Sequence, residues 1–394
     1  MLSPRHVLAA LEAKRAAFEG YELRTGQTLE HYRQALAWFA GQDHASLLAR
    51  LADSPTPGAR PTKERAVGQP FIRPFGLEWE NHAQARAWAM EILHGVTTAA
   101  VDGSQITPSA DFSIPVGAVQ VGWFVNPHRQ EANYIKDLAF EVLAPAELQP
   151  GQEMAERDFP DLQVNLRRFE RECAQLGRLM ERFQQEGAKA LCFFDGSLVI
   201  SFAGHMRPEL RARYIDAIVS LLEASERTRI PLVGYIDTSH ASDLTAMLDH
   251  LLGHTPLARP SDAALLRREM AWGDRSEALQ CARQDLVFEE GIRPSYYGRV
   301  HFVYLKTTSE NAPARLDLPA WILEEGLLDW VLDVVRAECV VGTGYPYALE
   351  TADAVAVITT QDRERFYRLC QEFLAQSQIP LRYSRKAYSK RSRR

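Results

Sequence analysis

The tripeptide Asp-Gly-Ser occurs twice in this chain, each time closing a short apolar run that reads as a buried strand. Asp102 follows Thr97-Thr98-Ala99-Ala100-Val101, and Asp195 follows Ala190-Leu191-Cys192-Phe193-Phe194. Glycine and serine directly after a strand favour a sharp turn and leave the preceding carboxylate at the strand end. Two such carboxylates on neighbouring strands can hold divalent metal between them, a common basis for phosphodiester hydrolysis. The plainer reading, that Asp-Gly-Ser is only a good turn sequence, stands beside it.

The 394 residues suffice for two or three domains, or for one large core with an appended region. A formal charge of −6 argues against a uniformly basic nucleic-acid binder but leaves room for a local basic stripe. The five cysteines (Cys173, Cys192, Cys281, Cys339 and Cys370) are scattered and include no C-x-x-C pair, so neither a zinc site nor a redox motif is expected. Cys192 lies in an apolar run and is expected to be a buried small hydrophobe. The first residues lack the apolar core of a signal peptide, and no run of 18 apolar residues occurs. The expectation is a cytoplasmic protein with no membrane contact.

Residues 3–50 show helical spacing, with Ser3 as cap, Pro4 in the first turn and a second helix through Leu29–Leu51. A Pro- and Gly-rich stretch over Asp53–Pro70 reads as a linker. Strands are predicted at Thr97–Val101, Val116–Val125, Ala132–Val142, Lys189–Phe194, Ile230–Ile236, Val300–Lys306 and Glu338–Val341. Helices are predicted at Asn81–Leu93, Leu162–Gln185, Pro208–Ser225, Ala241–Leu252 and Tyr347–Ile358. The first three strands follow one another with short turns, as in an antiparallel meander. The fold class is therefore α/β: an RNase H-like mixed sheet flanked by helices, with an N-terminal helical region and a helical insertion. The expected division is a helical region and linker over 1–95, the main domain over 96–380 and a basic tail over 381–394.

Three segments occur in order at large separations: Val101-Asp102-Gly103-Ser104, Phe194-Asp195-Gly196-Ser197-Leu198 and Gly344-Tyr345-Pro346-Tyr347-Ala348-Leu349. Together, over about residues 95–390, they resemble the NurA nucleases, which work with the hexameric HerA ATPase in DNA end processing. The resemblance implies an RNase H-like core, manganese-dependent 5′ to 3′ exonuclease and single-strand endonuclease activity, and a homodimer. It makes Asp102 and Asp195 metal-binding aspartates and Tyr345 an active-site tyrosine. Eight residues on, where better-known members carry histidine, this chain has Asp353, which suits a final acidic ligand on a late helix. The family also uses a glutamate on the helix between the two aspartates. Glu170 and Glu172 both flank the apolar stripe of Leu162–Gln185; Glu172 is the preferred match and Glu181 a further option.

Hard ions prefer oxygen ligands, so Asp102, Glu172, Asp195 and Asp353 suit Mn²⁺ or Mg²⁺, expected as two ions, better than zinc. Tyr345 could bond a phosphate oxygen, stack on a base or support the turn before Pro346. Asp237-Thr238-Ser239-His240 and Ser242-Asp243 hold the residue types of a hydrolase triad, but no Gly-x-Ser-x-Gly elbow accompanies them; a strand end and helix cap is the expectation. His301 is expected to be a satisfied core histidine. The chain has no Gly-x-x-x-x-Gly-Lys, so any ATPase step belongs to a partner, expected to be a HerA-like hexamer. The tail holds Arg382, Arg385, Lys386, Lys390, Arg391, Arg393 and Arg394 with Tyr383 and Tyr388 interleaved, a composition suited to single-stranded DNA and duplex ends. A disordered solubilising tail is the plainer alternative. For the whole chain, the rival to a metal-dependent DNA nuclease is a non-catalytic DNA-binding or ATPase-adaptor subunit with the same fold. A nuclease acting on RNA is a third reading.

Overall fold

The computed structural model describes residues 2–109, 112–148, 160–255, 259–283 and 295–380. The chain separates into two compact units, both discontinuous in sequence: Met1–Glu78 with Ile236–Asp285 and Arg293–Ala320, and Trp79–Tyr235 with Leu286–Ile292 and Trp321–Arg394.

The first unit contains an antiparallel sheet in the order Gly58–Pro61, Leu279–Ala282, Val300–Leu305 and Ala314–Pro319. Its long helix is Arg15–Ala40, which runs unbroken through the position where a second helix was expected to start near Leu29. The chain leaves the helix at Gly41 instead, and Asp43 then caps the short helix His44–Arg50 by accepting from Ser46 N. Helix Arg15–Ala40 is fixed to helix Asp243–Leu252 by the buried Tyr32 hydroxyl, which donates to Asp249 at 2.8 Å. Ser242 precedes that helix but makes no cap bond; the buried Asp262 carboxylate accepts from Leu244 N and Thr245 N in its place. Asp243, a member of the rival triad, is buried in ion pairs with Arg283 and Arg315. His301 is buried, which pushes its pKa down to about 4, but it is not a satisfied core histidine: its Nδ1 has no hydrogen-bond partner among the described residues.

The second unit carries a mixed sheet. Its elements, in chain order, are α1 (His82–Leu93), β1 (Thr97–Ile106), β2 (Gly117–Asn126), β3 (Ile135–Leu143), α2 (Pro160–Gln185), β4 (Ala190–Asp195), α3 (Pro208–Thr228), β5 (Leu232–Ile236), α4 (Leu328–Val341), α5 (Tyr347–Ala356) and α6 (Thr360–Gln376). The strand order is β3-β2-β1-β4-β5, antiparallel across β3-β2-β1 and parallel across β1-β4-β5. This is an RNase H-like sheet. Ala99, Ala100 and Val101 of β1 and Leu191, Cys192 and Phe193 of β4 are buried, as strands covered on both faces require. Residues of one parity on β1 and β2 meet α2, and residues of the other parity meet α5, so the sheet is sandwiched between helices.

Glu338–Val341, predicted as a strand, forms the last turn of helix α4. Its apolar content is the same in either form; what decides is the preceding Leu328–Ala337, whose Val331, Leu332, Val335 and Cys339 recur at helical spacing and are buried. Among the described residues, no helix is long and apolar enough to cross a membrane.

Candidate active site

The two Asp-Gly-Ser copies do different things. At the second, Asp195 ends β4 and the chain turns away through Gly196 at φ 131°, a conformation that favours glycine. At the first, the expected turn does not occur: β1 continues through Asp102-Gly103-Ser104 to Ile106, paired throughout with β2. Gly103 is needed there for space. A Cβ at this position would collide with Glu172 Oε1 and lie 2.7 Å from Arg168 Cγ, both from α2. The missing side chain lets the buried Glu172 carboxylate reach the strand that carries Asp102.

A second glycine works on the opposite face. Gly122 on β2 stands directly opposite Asp102, and a Cβ on it would lie 2.7 Å from Ala356 N of α5. Helix α5 therefore lies close on the strands, held by Gln120 Nε2 donating to Ala356 O at 3.0 Å and Ile358 N donating to Ser104 Oγ at 3.3 Å. This seating brings Asp353 within hydrogen-bonding reach of the Asp102 carboxyl. The turn before α5 places Tyr345, whose hydroxyl donates to Asp195 Oδ1 at 3.3 Å and whose ring stands edge-on to Tyr235 at 5.1 Å.

The three candidate glutamates lie in different surroundings. Glu170 points away to Arg213, 2.8 Å, and Glu181 to Arg227, 2.6 Å. Glu172 feels the charges of Asp102 and Asp195, and Arg168 Nη1 contacts it at 3.0 Å while also donating to Gly103 O at 3.1 Å. Arg168 was not singled out from the sequence, although its place one turn before Glu172 is a usable signal. Burial chiefly, with the Asp102 and Asp195 charges added and Arg168 opposing, pushes the Glu172 carboxyl up to about 8. Asp102 is raised to about 6, by burial first and by Asp195 and Asp353 beyond it, against a backbone hydrogen bond from Gly103. Buried carboxylates that also face one another's charge are short of positive charge.

A hard divalent cation fits that deficit, because every donor in the cluster is a carboxylate oxygen. With Glu172 turned onto Arg168 and Asp102 sharing a hydrogen bond with Asp353, no group of three or more His, Cys, Asp or Glu stands at cation-site spacing among the described residues. The basic tail residues Arg382, Arg385, Lys386, Lys390 and Arg391 lie outside the described residues.

Residues 96–358, more than half of the chain, match the model of the NurA domain. The chain belongs to the NurA family. Asp102, Glu172, Asp195, Tyr345 and Asp353 all fall inside the matched segment. Among solved structures, a crystal structure of NurA with manganese aligns with 71% of this chain and 89% of its own length, at 10% identity and a TM-score of 0.41. NurA bound to dAMP and manganese aligns over 69% and 87%, at 10% identity and a TM-score of 0.36. The catalytic domain of human endonuclease V aligns over 76% and 95%, at 12% identity and a TM-score of 0.33. No curated protein matches the chain. The NurA assignment therefore rests on the domain match, and the RNase H-like architecture on the strand order described above.

Proposed function

We propose that this NurA-family chain is a metal-dependent DNA nuclease that trims 5′ ends and cuts single strands during end resection and repair. The observation that supports this reading is that Asp102 and Asp195, on the central neighbouring strands β1 and β4, act electrostatically on one another and on Glu172 of α2. Asp353 of α5 bonds Asp102, and the Asp102 and Glu172 carboxyls are raised. Two Mn²⁺ or Mg²⁺ ions bound there would supply an activated hydroxide and charge neutralisation at the phosphorus and leaving oxygen. The protein's own part is positional. Asp102 and Asp195 anchor the donor set from rigid strands, Glu172 and Asp353 close it from opposite helices, and Arg168 keeps Glu172 oriented. Tyr345 orients Asp195 through its hydroxyl.

A cleavage assay on end-labelled single-stranded DNA, with and without Mn²⁺, tests the reading. Metal-dependent cutting that EDTA abolishes is the expected result. Binding without cutting would identify a DNA-binding or adaptor subunit, and faster cutting of RNA than DNA would move the substrate class to RNA.

The tail enters as a backbone-tracking element for single strands. Deletion of residues 382–394 is expected to weaken binding to all single-stranded sequences and to flatten the salt dependence, by ~0.7 in log–log slope per lost phosphate contact. Unchanged slopes in full-length and truncated protein would make the segment a solubilising tail.

The protein is further proposed to act as a homodimer on a HerA-like hexameric ATPase. Opening a duplex costs ~1.4 kcal/mol per base-pair step in stacking alone, and no phosphate-binding loop in this chain meets that cost. ATP with the motor should therefore stimulate resection of long duplexes, and a hydrolysis-dead motor should not. Equal resection of kilobase duplexes by the nuclease alone would remove the motor from its function.

A further inference from the structure

The turn that presents Tyr345 is strained. Thr343 sits at φ 56°, a left-handed conformation costly for a β-branched residue, and Gly344 follows at φ 109°. Gly342 cannot carry a side chain, since a Cβ would collide with Tyr345 O and lie 2.9 Å from Tyr347 N. Such a turn persists only where its surroundings over-determine it. Helix α5 begins right after it at Tyr347, and the residue before, Pro346, has no side chain able to cap the first N–H groups.

Glu338 fills that role from the last turn of α4. The side chain is 1% exposed, and its Oε2 accepts from Ala348 N at 2.9 Å, with Tyr347 N also bonded to the carboxyl. An anion at a helix N-terminus satisfies free N–H groups and the helix dipole together. The other oxygen, Oε1, has no hydrogen-bond partner among the described residues, although the Thr98 hydroxyl of β1 faces the same carboxyl and His128 Nε2 lies 3.7 Å away. His128 is itself pinned, with Nδ1 2.7 Å from Val96 O and its backbone N bonded to Asn126 Oδ1. The carboxyl thus joins the start of β1, the turn after β2 and the start of α5. Burying a carboxylate carries a desolvation cost that an apolar residue in α4 would avoid, and the groups it faces here are those of β1, the turn after β2 and the start of α5.

We propose that Glu338 is a positioning residue that, by capping α5, holds the strained turn so that the Tyr345 hydroxyl meets Asp195. The inference rests on the nuclease reading for its consequence in cleavage, but not for its geometry.

The test pairs spectroscopy with kinetics. 3-Fluorotyrosine is placed at position 345 and its ¹⁹F resonance is recorded in DNA-free, metal-free protein for wild type, Glu338→Leu and Glu338→Gln. Val335→Ala, a cavity variant of a buried residue in the same helix, is the control for general destabilisation. Glu338→Leu should move the resonance and lower kcat by ~10–10²-fold with KM for DNA unchanged. Its melting temperature should fall, because Ala348 N and Tyr347 N lose their acceptor, so resonance and kinetics are read well below the melting transition of both proteins. Glu338→Gln, which keeps an oxygen opposite Ala348 N, should retain most of the activity. In a Tyr345→Phe background, Glu338→Leu should add little further loss, because both act on one contact.

An unmoved resonance in folded Glu338→Leu would overturn the proposal, as would losses that multiply with Tyr345→Phe or an equal effect of Val335→Ala. If Glu338→Leu does not fold, the same resonance and the same double-variant cycle are read in Glu338→Ala, which also removes the acceptor of Ala348 N, and an unmoved resonance or multiplicative loss there would overturn it. Absence of cleavage by the wild-type protein would end the nuclease reading and leave the ¹⁹F result to decide the positioning role.

Discussion

Asp102→Asn and Asp195→Asn should each reduce metal-dependent cleavage by ~10³-fold, the effect of losing about 4 kcal/mol of transition-state stabilisation. Each change keeps the side-chain shape and removes one negative charge from a cluster already short of positive charge. The fold should tolerate both. Asp195 is exposed at the end of β4, and Asp102 is only partly buried with neighbours that repel its charge. DNA binding, measured by fluorescence anisotropy with Ca²⁺ in place of Mn²⁺, should stay near that of the wild type. Cleavage at the wild-type rate by either purified, folded variant would remove that residue from the site.

Glu172→Gln should separate activity from stability. Cleavage should fall by a similar ~10³-fold, because a donor charge is lost from the same cluster. Stability should move the other way and depend on pH. The folded protein holds the Glu172 proton up to about pH 8, whereas a free glutamate releases it near 4.5. The folded state thus binds more protons than the unfolded state across this window, so its stability is full below pH 4.5 and declines as pH rises through 8. Glutamine cannot ionise and still accepts a hydrogen bond from Arg168. In EDTA, the variant should therefore be more stable than wild type above pH 8, by on the order of 2 kcal/mol, with the difference vanishing toward pH 4.5. Urea denaturation at several pH values measures this directly. Parallel stability profiles for the two proteins would show that Glu172 is not a buried, repelled carboxyl.

Much of the scaffold was legible in the chain itself. The runs Thr97–Val101 and Ala190–Phe194 are apolar at every step or nearly so, which marks strands covered on both faces, and each leads into an aspartate. The stripe of Leu166, Phe169, Cys173, Leu176 and Met180 marked the long helix between them, and all five are buried. These are local signals. Periodicity and turn chemistry act over a few residues, so they survive without knowledge of the rest of the fold.

What lay beyond the sequence was decided by approach distances between elements far apart in the chain. The choice of Glu172 over Glu170 follows from the rotational phase of α2 against β1 and from the space left by Gly103; spacing along the helix places both on the flanks of one stripe. Asp353 reaches Asp102 because Gly122, over two hundred residues away in sequence, lets the backbone of α5 come down onto β2. Glu338 was assigned to a strand because its short apolar neighbourhood is compatible with strand and helix alike, and only packing along α4 resolves that ambiguity. The carboxylates and the tyrosine are thus written in the chain, but which of them come near one another is a tertiary property. It depends on where side chains are missing as much as on where they are present.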